Sequence, residues 1–316
     1  MFRMILRRLG SMSVVLFAVS VLTFLIFEEI PNGNPALRMA GKTATRANIL
    51  AIEKAYGFNR PFYIQYLRTM DHIFTGKIVS YTTQLNVVAQ IKQDLPVTAS
   101  LVLGAFVIWF VFAVILGLVG GYRSGRSVDT AITVINFAGI SAPVFVIGDI
   151  FIYVLAFKTH WFPASGYVGL SNPPEWAWHL VLPWVSLAIQ YMGVYSQVLR
   201  SSVVDALNED FVRTAKAKGL SARRIATHHV LRTSLIPIVA LSGLDIAGVI
   251  GGGAILTETI FNLPGIGLYT EQSISSLDVP SVMVITIFGA FAVVVCSALA
   301  DMLYALLDPR IRTSTS

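Results

Sequence analysis

Six long apolar segments constrain this chain more than any other feature of its sequence. The hydrocarbon core of a bilayer is roughly 30 Å thick, and a helix that rises about 1.5 Å per residue needs about 20 apolar residues to cross it. With 55% hydrophobic and 13% charged residues, the composition excludes an ordinary soluble domain. The sequence therefore predicts an all-α polytopic membrane protein with six transmembrane helices, at residues 12–30, 96–122, 128–157, 177–199, 231–256 and 281–307.

The basic residues are distributed unevenly over the loops between these segments. With the N-terminus inside, the inner loops and termini hold 14 Lys and Arg residues, whereas the two short outer loops, 158–176 and 257–280, hold only Lys158. The other eight lie in the long loop 31–95, and loops of that length largely escape the positive-inside rule. The distribution predicts that both termini are cytoplasmic. It does not favour nucleic acid as a partner, because the net charge of +6 is not gathered into one stripe.

The same pattern divides the chain into three parts. Residues 1–30 form the cytoplasmic N-terminus and the first span, residues 31–95 an extracytoplasmic loop, and residues 96–316 a core of five helices. Arg3, Arg7 and Arg8 precede the first span as in a secretory signal, but no small-residue cleavage site follows it, so we interpret it as a retained anchor. Apolar side chains at helical spacing predict that the outer loop is a small folded cap with helices at 47–56 and 61–74.

Features that could suggest catalysis or metal binding do not fit their patterns. Gly-Lys-Thr at residues 41–43 ends like a phosphate-binding loop, but Ala36 stands where that pattern needs a glycine. The five histidines fall on both sides of the membrane, and the adjacent His228 and His229 point about 100° apart on a helix. The single cysteine, Cys296, excludes an internal disulfide and a cysteine-based metal cage. We therefore expect a non-catalytic chain with no metal site and no cofactor of its own.

The inner loop 201–231 has the sequence pattern of two short helices joined by a glycine turn. Asn208 can cap the first helix, and Gly219 can supply the left-handed residue that ends it. Ser221 can then cap a second helix, from Ala222 to about Leu231, that leads into the fifth span. Charges that complement the helix dipole stand in the first and last turns of the first helix, namely Glu209, Asp210, Lys216 and Lys218.

Together these residues predict a rigid elbow, residues 208–231, that lies parallel to the membrane and can receive force from a cytosolic partner. An amphipathic helix that merely lies in the headgroups is the alternative interpretation.

This loop also carries a resemblance to a known family. Ala215, three further residues and Gly219 match the motif by which membrane subunits of ABC importers dock on their ATPase subunits. Residues 211–221, Phe-Val-Arg-Thr-Ala-Lys-Ala-Lys-Gly-Leu-Ser, resemble the dipeptide, oligopeptide and nickel branch of that family. Further segments that resemble the same branch are 7–9, 60–61, 65–67, 95–101, 231–237, 257–261, 264–267 and 301–310, whereas 32–35 and 76–79 depart from its usual patterns.

The resemblance implies the fold of a type I ABC importer permease in a bacterial-type plasma (inner) membrane. Such a chain would form half of the translocation pathway for di- or oligopeptides beside a second, homologous permease subunit. An extracytoplasmic substrate-binding protein would deliver the substrate, and one or two cytosolic ATPase subunits would use ATP and Mg²⁺. The elbow residues that would couple to the ATPase are Arg213, Thr214, Ala215, Lys218, Gly219, Leu220 and Ser221.

The fifth span carries small residues at four-residue spacing. They form two rows, Gly243, Ala247 and Gly251 in one and Gly248 and Gly252 in the other. Small residues let helices approach closely within a bilayer. Static packing is one interpretation, and a close-packed gate formed by Gly248, Gly251 and Gly252 is the other, which the resemblance favours.

Two acidic residues lie within the predicted spans. Asp149 and Asp245 each cost up to about 3 kcal/mol at membrane depth, so we expect them to face the helix bundle or a wet cavity. A hydrogen-bonded packing acid is one interpretation of each. The sharper hypothesis is that both line the pathway and that Asp245 accommodates the cationic amino group of a peptide.

Two other classes of function remain compatible with six apolar spans and buried acids. The same importer type could carry nickel or another small solute, and an ion-coupled secondary transporter or channel would differ in its energy source. A membrane enzyme would need a catalytic constellation, and no motif in this sequence places one.

Overall fold

The computed structural model describes residues 2–29, 36, 40 and 45–307. The phosphate-loop-like residues 41–43, the segment 32–35 and the C-terminal Arg310 and Arg312 lie outside the described residues, as do the side chains of residues 2–9 and 300–307. Throughout the described part the regular elements are helices, apart from one isolated antiparallel bridge between Val79 and Asn86.

The α-helices are numbered here in chain order. They are α1 (Phe2–Phe24), α2 (Arg46–Tyr56), α3 (Phe62–Phe74), α4 (Val87–Tyr122), α5 (Ser127–Ser141), α6 (Val144–Phe151), α7 (Pro173–Asn208), α8 (Asp210–Ala217), α9 (Ala222–Arg224), α10 (Leu231–Gly248), α11 (Ile255–Ile260), α12 (Ile266–Ser275) and α13 (Val279–Leu307). The π-helical turns Leu25–Glu29, Ile152–Lys158, Ile225–Val230 and Val249–Gly253 continue α1, α6, α9 and α10.

Four continuous helical segments of the described part are long and apolar enough to cross a membrane, or five if α5 and α6 count as one broken span. The four are Gly10–Phe27, Val87–Tyr122, Ala222–Gly253 and Val279–Leu299. The remaining predicted span, 177–199, lies inside the 36-residue α7, whose middle contains the polar residues Gln190, Ser196 and Gln197. The count of six transmembrane helices therefore stays a prediction.

The third predicted span is not straight, which corrects the sequence prediction for 128–157. The chain bends by 96° between α5 and α6. Ala142 adopts an extended conformation (φ −80°, ψ 123°) immediately before Pro143. A proline ring disfavours the helical conformation of the residue before it, and proline has no N–H to continue the helix. The segment is thus two helices rather than one.

The main core lies between α4 and α7, which pack along most of their lengths. Gly104 makes this possible, because a Cβ atom there would overlap the indole of Trp184. The same indole donates a hydrogen bond through Nε1 to the carbonyl oxygen of Ser100, 2.9 Å away. Helices α10 and α1 both pack on α13.

The predicted outer-loop helices at 47–56 and 61–74 are confirmed as α2 and α3. They belong to a cap, residues 45–86, that packs on the end of α1 through the rings of Phe24 and Tyr66, whose centroids lie 5.6 Å apart. The backbone N–H of Tyr81 donates to the carboxylate of Asp278, 2.8 Å away, and this joins the cap to the start of α13. The molecule thus has a cap end and, at the opposite end of α4 and α7, an elbow end.

Candidate functional site

The elbow has the predicted form, two short helices that meet at a glycine. Gly219 has φ +76°, in the left-handed region, as its position after α8 predicts. The N–H of Gly219 bonds to the carbonyl of Lys216 at 2.9 Å, and the N–H of Leu220 bonds to the carbonyl of Ala215 at 3.2 Å. These bonds satisfy the last carbonyls of α8, which is how a left-handed residue ends a helix.

The predicted N-cap of this helix is wrong. Asn208 is the last residue of α7, and its side-chain amide donates to the carbonyl of Val204 at 3.0 Å. Ala206, in the last turn of α7, is buried against the core, and α7 stays helical through Asn208, the predicted cap position. Glu209 occupies the cap position instead, in an extended conformation and without a side-chain hydrogen bond to the helix.

The second predicted cap is correct in position only. Ser221 is extended (φ −63°, ψ 148°) and α9 begins at Ala222, but the hydroxyl makes no capping hydrogen bond. From there the helix runs through the π-helical turn Ile225–Val230 into α10. The elbow therefore joins α7 to α10 through a single glycine turn.

One face of the elbow is anchored in the core and the other is open. Val212 and Ala215 are buried with Ile225 and Val230 in the same cluster that contains the end of α7. The predicted coupling residues Arg213, Thr214, Lys218, Gly219 and Ser221 are exposed, and Leu220 is half-buried.

The charged side chains on the open face of the elbow are exposed to solvent. Arg213 lies 3.4 Å from the carboxylate of Asp210, and both side chains are largely exposed. Such a pair contributes little to stability, so the basic side chains of this face are available to a partner. Ala215 is the one predicted coupling residue that is buried.

An ion pair that the sequence prediction missed fixes the base of the elbow. Arg200, near the end of α7, contacts Asp129 of α5 through two bonds, Nε to Oδ1 at 2.5 Å and Nη2 to Oδ2 at 2.6 Å. The N–H of Gly125 also donates to Asp129 at 2.9 Å. The sequence signal for this pair was that Asp129 and Arg200, of opposite charge, lie at the inner ends of two predicted spans.

The predicted gate glycines behave differently from one another. A Cβ on Gly251 would lie 3.3 Å from the carbonyl oxygen of Gly289, so this glycine marks a close crossing of the α10 segment with α13. Gly252 has φ +150° and breaks the helix between α10 and α11. A Cβ on Gly248 would meet nothing within 4 Å, and Gly248 therefore makes no close contact within this chain. Gly289, the partner of Gly251, was missed because it lies alone in its helix.

Asp245 is a hydrogen-bonded acid at the junction of α10 and α7. The hydroxyl of Tyr195, which is fully buried, donates to Oδ2 of Asp245 at 2.6 Å. The ring of Trp109 stacks on Tyr191 with centroids 4.7 Å apart and lies 6.2 Å from Tyr195. The carboxylate thus faces an aromatic cluster, and one of its oxygens has no hydrogen bond among the described residues.

No hydrogen bond among the described residues joins Asp149 to Asp245 or to its partner Tyr195. Asp149 is exposed on the surface of α6, and no hydrogen bond or ion pair to a described residue holds it. A role for Asp149 in the pathway therefore stays a prediction.

Known proteins and family models resemble this chain over nearly its whole length. The family model described as binding-protein-dependent transport system inner membrane component matches residues 110–313, and the model for the N-terminal part of such membrane components matches residues 1–102. A probable peptide ABC transporter permease protein, y4tP, of Sinorhizobium fredii is 36% identical over 98% of this chain and 98% of its own length. The dipeptide transport system permease protein DppB of Lactococcus lactis is 33% identical over 99% of this chain and 100% of its own.

Among solved structures, an inward-facing form of the MetNI methionine ABC transporter matches with a TM-score of 0.48 and 14% identity, over 70% of this chain and 96% of that chain.

Proposed function

Because this chain belongs to the family of binding-protein-dependent transport system inner membrane components, we propose that it is the permease subunit of an ATP-driven importer of di- or oligopeptides. The observation that carries the proposal is the similarity to peptide and dipeptide permeases over 98–99% of the chain. The chain is a multi-pass membrane protein with an all-helical permease fold. It forms half of the translocation pathway and contributes no chemistry of its own.

The assembly contains partners of four kinds. A second, homologous permease subunit completes the pathway, and an extracytoplasmic substrate-binding protein delivers the peptide. One or two cytosolic ATPase subunits bind ATP and Mg²⁺, so that this chain needs no cofactor. Membrane lipid surrounds the apolar helices, which expose side chains such as Leu103, Val107 and Phe137.

The elbow is the surface on which an ATPase subunit docks. Its anchored residues, Val212 and Ala215, fix its position on the core, and its open face presents Arg213, Thr214 and Lys218. Since α7 and α10 both continue from the elbow, a force applied there reaches two long helices at once. This geometry suits a coupling element better than a helix that floats in the headgroups, whose apolar face would lie toward lipid.

The orientation follows from the same role. If ATPase subunits dock on the elbow, the elbow end is cytoplasmic and the cap end is extracytoplasmic. Both termini are then cytoplasmic, in agreement with the 14 basic residues of the inner segments. Accessibility of single cysteines placed at Lys218 and at Phe74 to a membrane-impermeant maleimide, with Cys296 replaced by serine, would measure this directly.

Asp245 is the residue of the pathway that we expect to meet the amino group of a peptide. One of its oxygens is bonded to Tyr195 and the other is free to accept from a ligand.

An Asp245→Asn variant tests this role, because the amide oxygen still accepts the Tyr195 bond while the charge is lost. We expect uptake of peptides with a free amino group to fall about tenfold. Uptake of N-acetylated peptides, corrected for their binding to the isolated binding protein, should change little. The Tyr195→Phe variant, which keeps the charge, is the control. Unchanged peptide uptake and unchanged peptide-stimulated ATP hydrolysis in Asp245→Asn would contradict the assignment.

Reconstitution tests the function as a whole. This chain is purified with its stoichiometric partners, placed in proteoliposomes, and supplied with binding protein and labelled peptide. Uptake that requires ATP and is insensitive to an ionophore supports the importer. Recovery of the chain alone, with uptake that an ionophore abolishes, would indicate an ion-coupled transporter, and uptake of nickel in place of peptide would reassign the substrate.

A further inference from the structure

A cavity of about 220 Å³, here called the cap pocket, lies where the cap meets α1 and α13. Buried apolar side chains form its floor, namely Phe24, Ile78, Pro280 and Met283. Exposed basic side chains line its mouth, namely Arg68, His72 and Lys77. The cap pocket is thus basic where it meets the surroundings and apolar at its base.

The basic side chains of the cap pocket have no acidic partner. None of Arg68, His72 and Lys77 makes a side-chain hydrogen bond or an ion pair within the part of the chain that the structure describes. No Asp or Glu of that part lines the pocket. Asp278, just before α13, accepts from the backbone N–H of Tyr81 instead, at 2.8 Å. Cationic side chains that line one cleft without a counter-ion attract an anion.

Two membrane-spanning helices place the cap pocket at the edge of the apolar layer. The apolar segment of α1 ends at Phe27, and that of α13 begins at Val279. Phe24 and Met283 stand three and four residues inside these limits, or about 5 and 6 Å at a rise of 1.5 Å per residue. The floor of the pocket therefore lies just inside the hydrocarbon core, and its mouth lies in the headgroup layer that adjoins the core.

Helix α3 has the surface of a helix that lies at a membrane interface. Tyr63 and Leu67, one turn apart, form an apolar flank, and each is 63% exposed. Arg68 and His72 follow them by five residues, which places a basic flank about 140° round the helix from the apolar one. An interfacial helix turns its apolar flank toward the acyl chains and its basic flank toward the headgroups.

The neighbouring α1 segment favours lipid, rather than another protein, beside α3. The ring of Phe17 contacts that of Tyr66 of α3, with centroids 6.4 Å apart, and Phe17 is itself 63% exposed. Val14, Leu22 and Ile26 of the same segment are also more than half exposed. Apolar side chains on the surface of a membrane-spanning helix meet acyl chains. The lipid that surrounds α1 therefore also adjoins α3.

We propose that the cap pocket binds the phosphate of an anionic phospholipid. Arg68 and Lys77 are its cationic contacts, and Tyr63 and Leu67 contact acyl chains of the same leaflet. The bound lipid fastens α3, and with it the cap, to the membrane surface. This inference rests on the membrane location of the chain and not on the proposed importer function, so either can fail without the other.

Titration of the detergent-purified complex with phosphatidylglycerol tests the site. The readout is the thermal unfolding midpoint, because a ligand that binds only the folded state raises it. In the double variant Arg68→Gln/Lys77→Gln, we expect the half-saturating amount of phosphatidylglycerol to rise about tenfold or more, since each basic residue near an anionic lipid contributes about fivefold to affinity. Arg68→Lys/Lys77→Arg, which keeps both charges, should respond as the wild type does.

Arg46→Gln/Lys54→Gln is the matched control. Both residues are exposed basic residues of α2, and neither lines the cap pocket. This variant removes the same charge from the cap and should keep the wild-type response. Equal half-saturating amounts in the two glutamine double variants would refute the site. Each titration is referred to the midpoint of the same variant without lipid, so a change in basal stability does not obscure the result.

Two further titrations identify the source of the anion. Phosphatidylcholine, which is zwitterionic, and inorganic phosphate, which has no acyl chains, should each raise the wild-type midpoint less than phosphatidylglycerol does. A response to inorganic phosphate as large as that to phosphatidylglycerol would indicate a free-anion site and overturn the lipid assignment. Weaker binding of the substrate-binding protein to Arg68→Gln/Lys77→Gln, with an unchanged response to phosphatidylglycerol, would reassign the pocket to that protein.

Discussion

Arg200 and Asp129 form a two-point ion pair that fastens α7 to α5 at the elbow end, with bonds of 2.5 and 2.6 Å. Asp129 is 4% exposed, so its charge depends on this partner. Arg200 is partly exposed, but its removal would leave the buried Asp129 carboxylate without its partner, which costs more than an exposed pair is worth.

We expect Arg200→Gln to destabilise the purified complex by about 2 kcal/mol, between the values for exposed and fully buried pairs. Arg213→Gln, which breaks the exposed pair with Asp210, should cost less than about 1 kcal/mol. Thermal unfolding of both variants in the same detergent measures the difference. Equal midpoints for the two variants would contradict the structural role given to Arg200.

The elbow glycine provides a prediction about coupling. A Cβ at Gly219 (φ +76°) would meet no atom within 4 Å, so a substitution there acts first through backbone strain. Strain in the left-handed region costs about 1–2 kcal/mol and would reshape the turn. We expect Gly219→Val to keep the complex in the membrane while peptide uptake per ATP hydrolysed falls at least several-fold.

Gly76→Val is the control for that experiment, because Gly76 has φ +67°, is equally open, and follows the end of α3 in the cap, away from the elbow. Both variants place a β-branched residue in the left-handed region, and only one places it in the elbow. A normal coupling ratio in Gly219→Val, or an equal loss in Gly76→Val, would count against the docking role.

The helix crossing at Gly251 and Gly289 provides a prediction about packing. A Cβ on Gly289 would lie 2.8 Å from the carbonyl oxygen of Gly251, and backbone atoms cannot yield as a flexible side chain can. Gly289→Ala should therefore lower stability by about 1–3 kcal/mol. Gly248→Ala, in open space one turn away, should be neutral or stabilise by up to about 1 kcal/mol, because alanine favours the helix. Thermal unfolding of the two variants measures the difference. A lower midpoint for Gly248→Ala than for Gly289→Ala would contradict the close helix crossing.

Glu258 provides a prediction about pH. Burial is the main cause that raises the pKa of its carboxyl from 4.5 to about 7, against the bonds from Thr98, Leu268 and Gly267, and the charge of Asp94 on α4 adds to the rise. Between pH 4.5 and 7 the folded state then binds more protons than the unfolded state, so stability falls as pH rises through this window and is level above it.

We expect the wild-type complex to lose on the order of 2 kcal/mol between pH 5 and 8 from this group alone. Glu258→Gln should lack that loss, because its amide oxygen can accept the bonds of Gly267 and Leu268 while its NH₂ group donates to Thr98. Thermal midpoints of both proteins across this range measure the difference, and parallel pH profiles would refute the assignment.

The sequence predicted the helices of the cap and the left-handed Gly219, because capping, helical periodicity and glycine conformation are local properties. Pro143 also indicated the bend after Ala142, but the continuous apolar segment 128–157 favoured one straight span. Asn208 was assigned as a cap because sequence does not show that packing around Ala206 extends α7. The contact of Thr98 with Glu258 joins residues 160 positions apart, and such a contact cannot be derived from spacing.

The length of α7 has a mechanical consequence. Its 36 residues form one helix of about 54 Å, with Pro183 beside Trp184. Asn208, the last residue of α7, is also the first residue of the elbow, so no flexible linker separates the two. Trp184 lies about 36 Å along the helix from Asn208, and a tilt of about 5° at the elbow displaces it by about 3 Å. That displacement is as large as the 2.9 Å hydrogen bond from Trp184 to Ser100, so a small rotation of α7 against α4 is enough to break this bond.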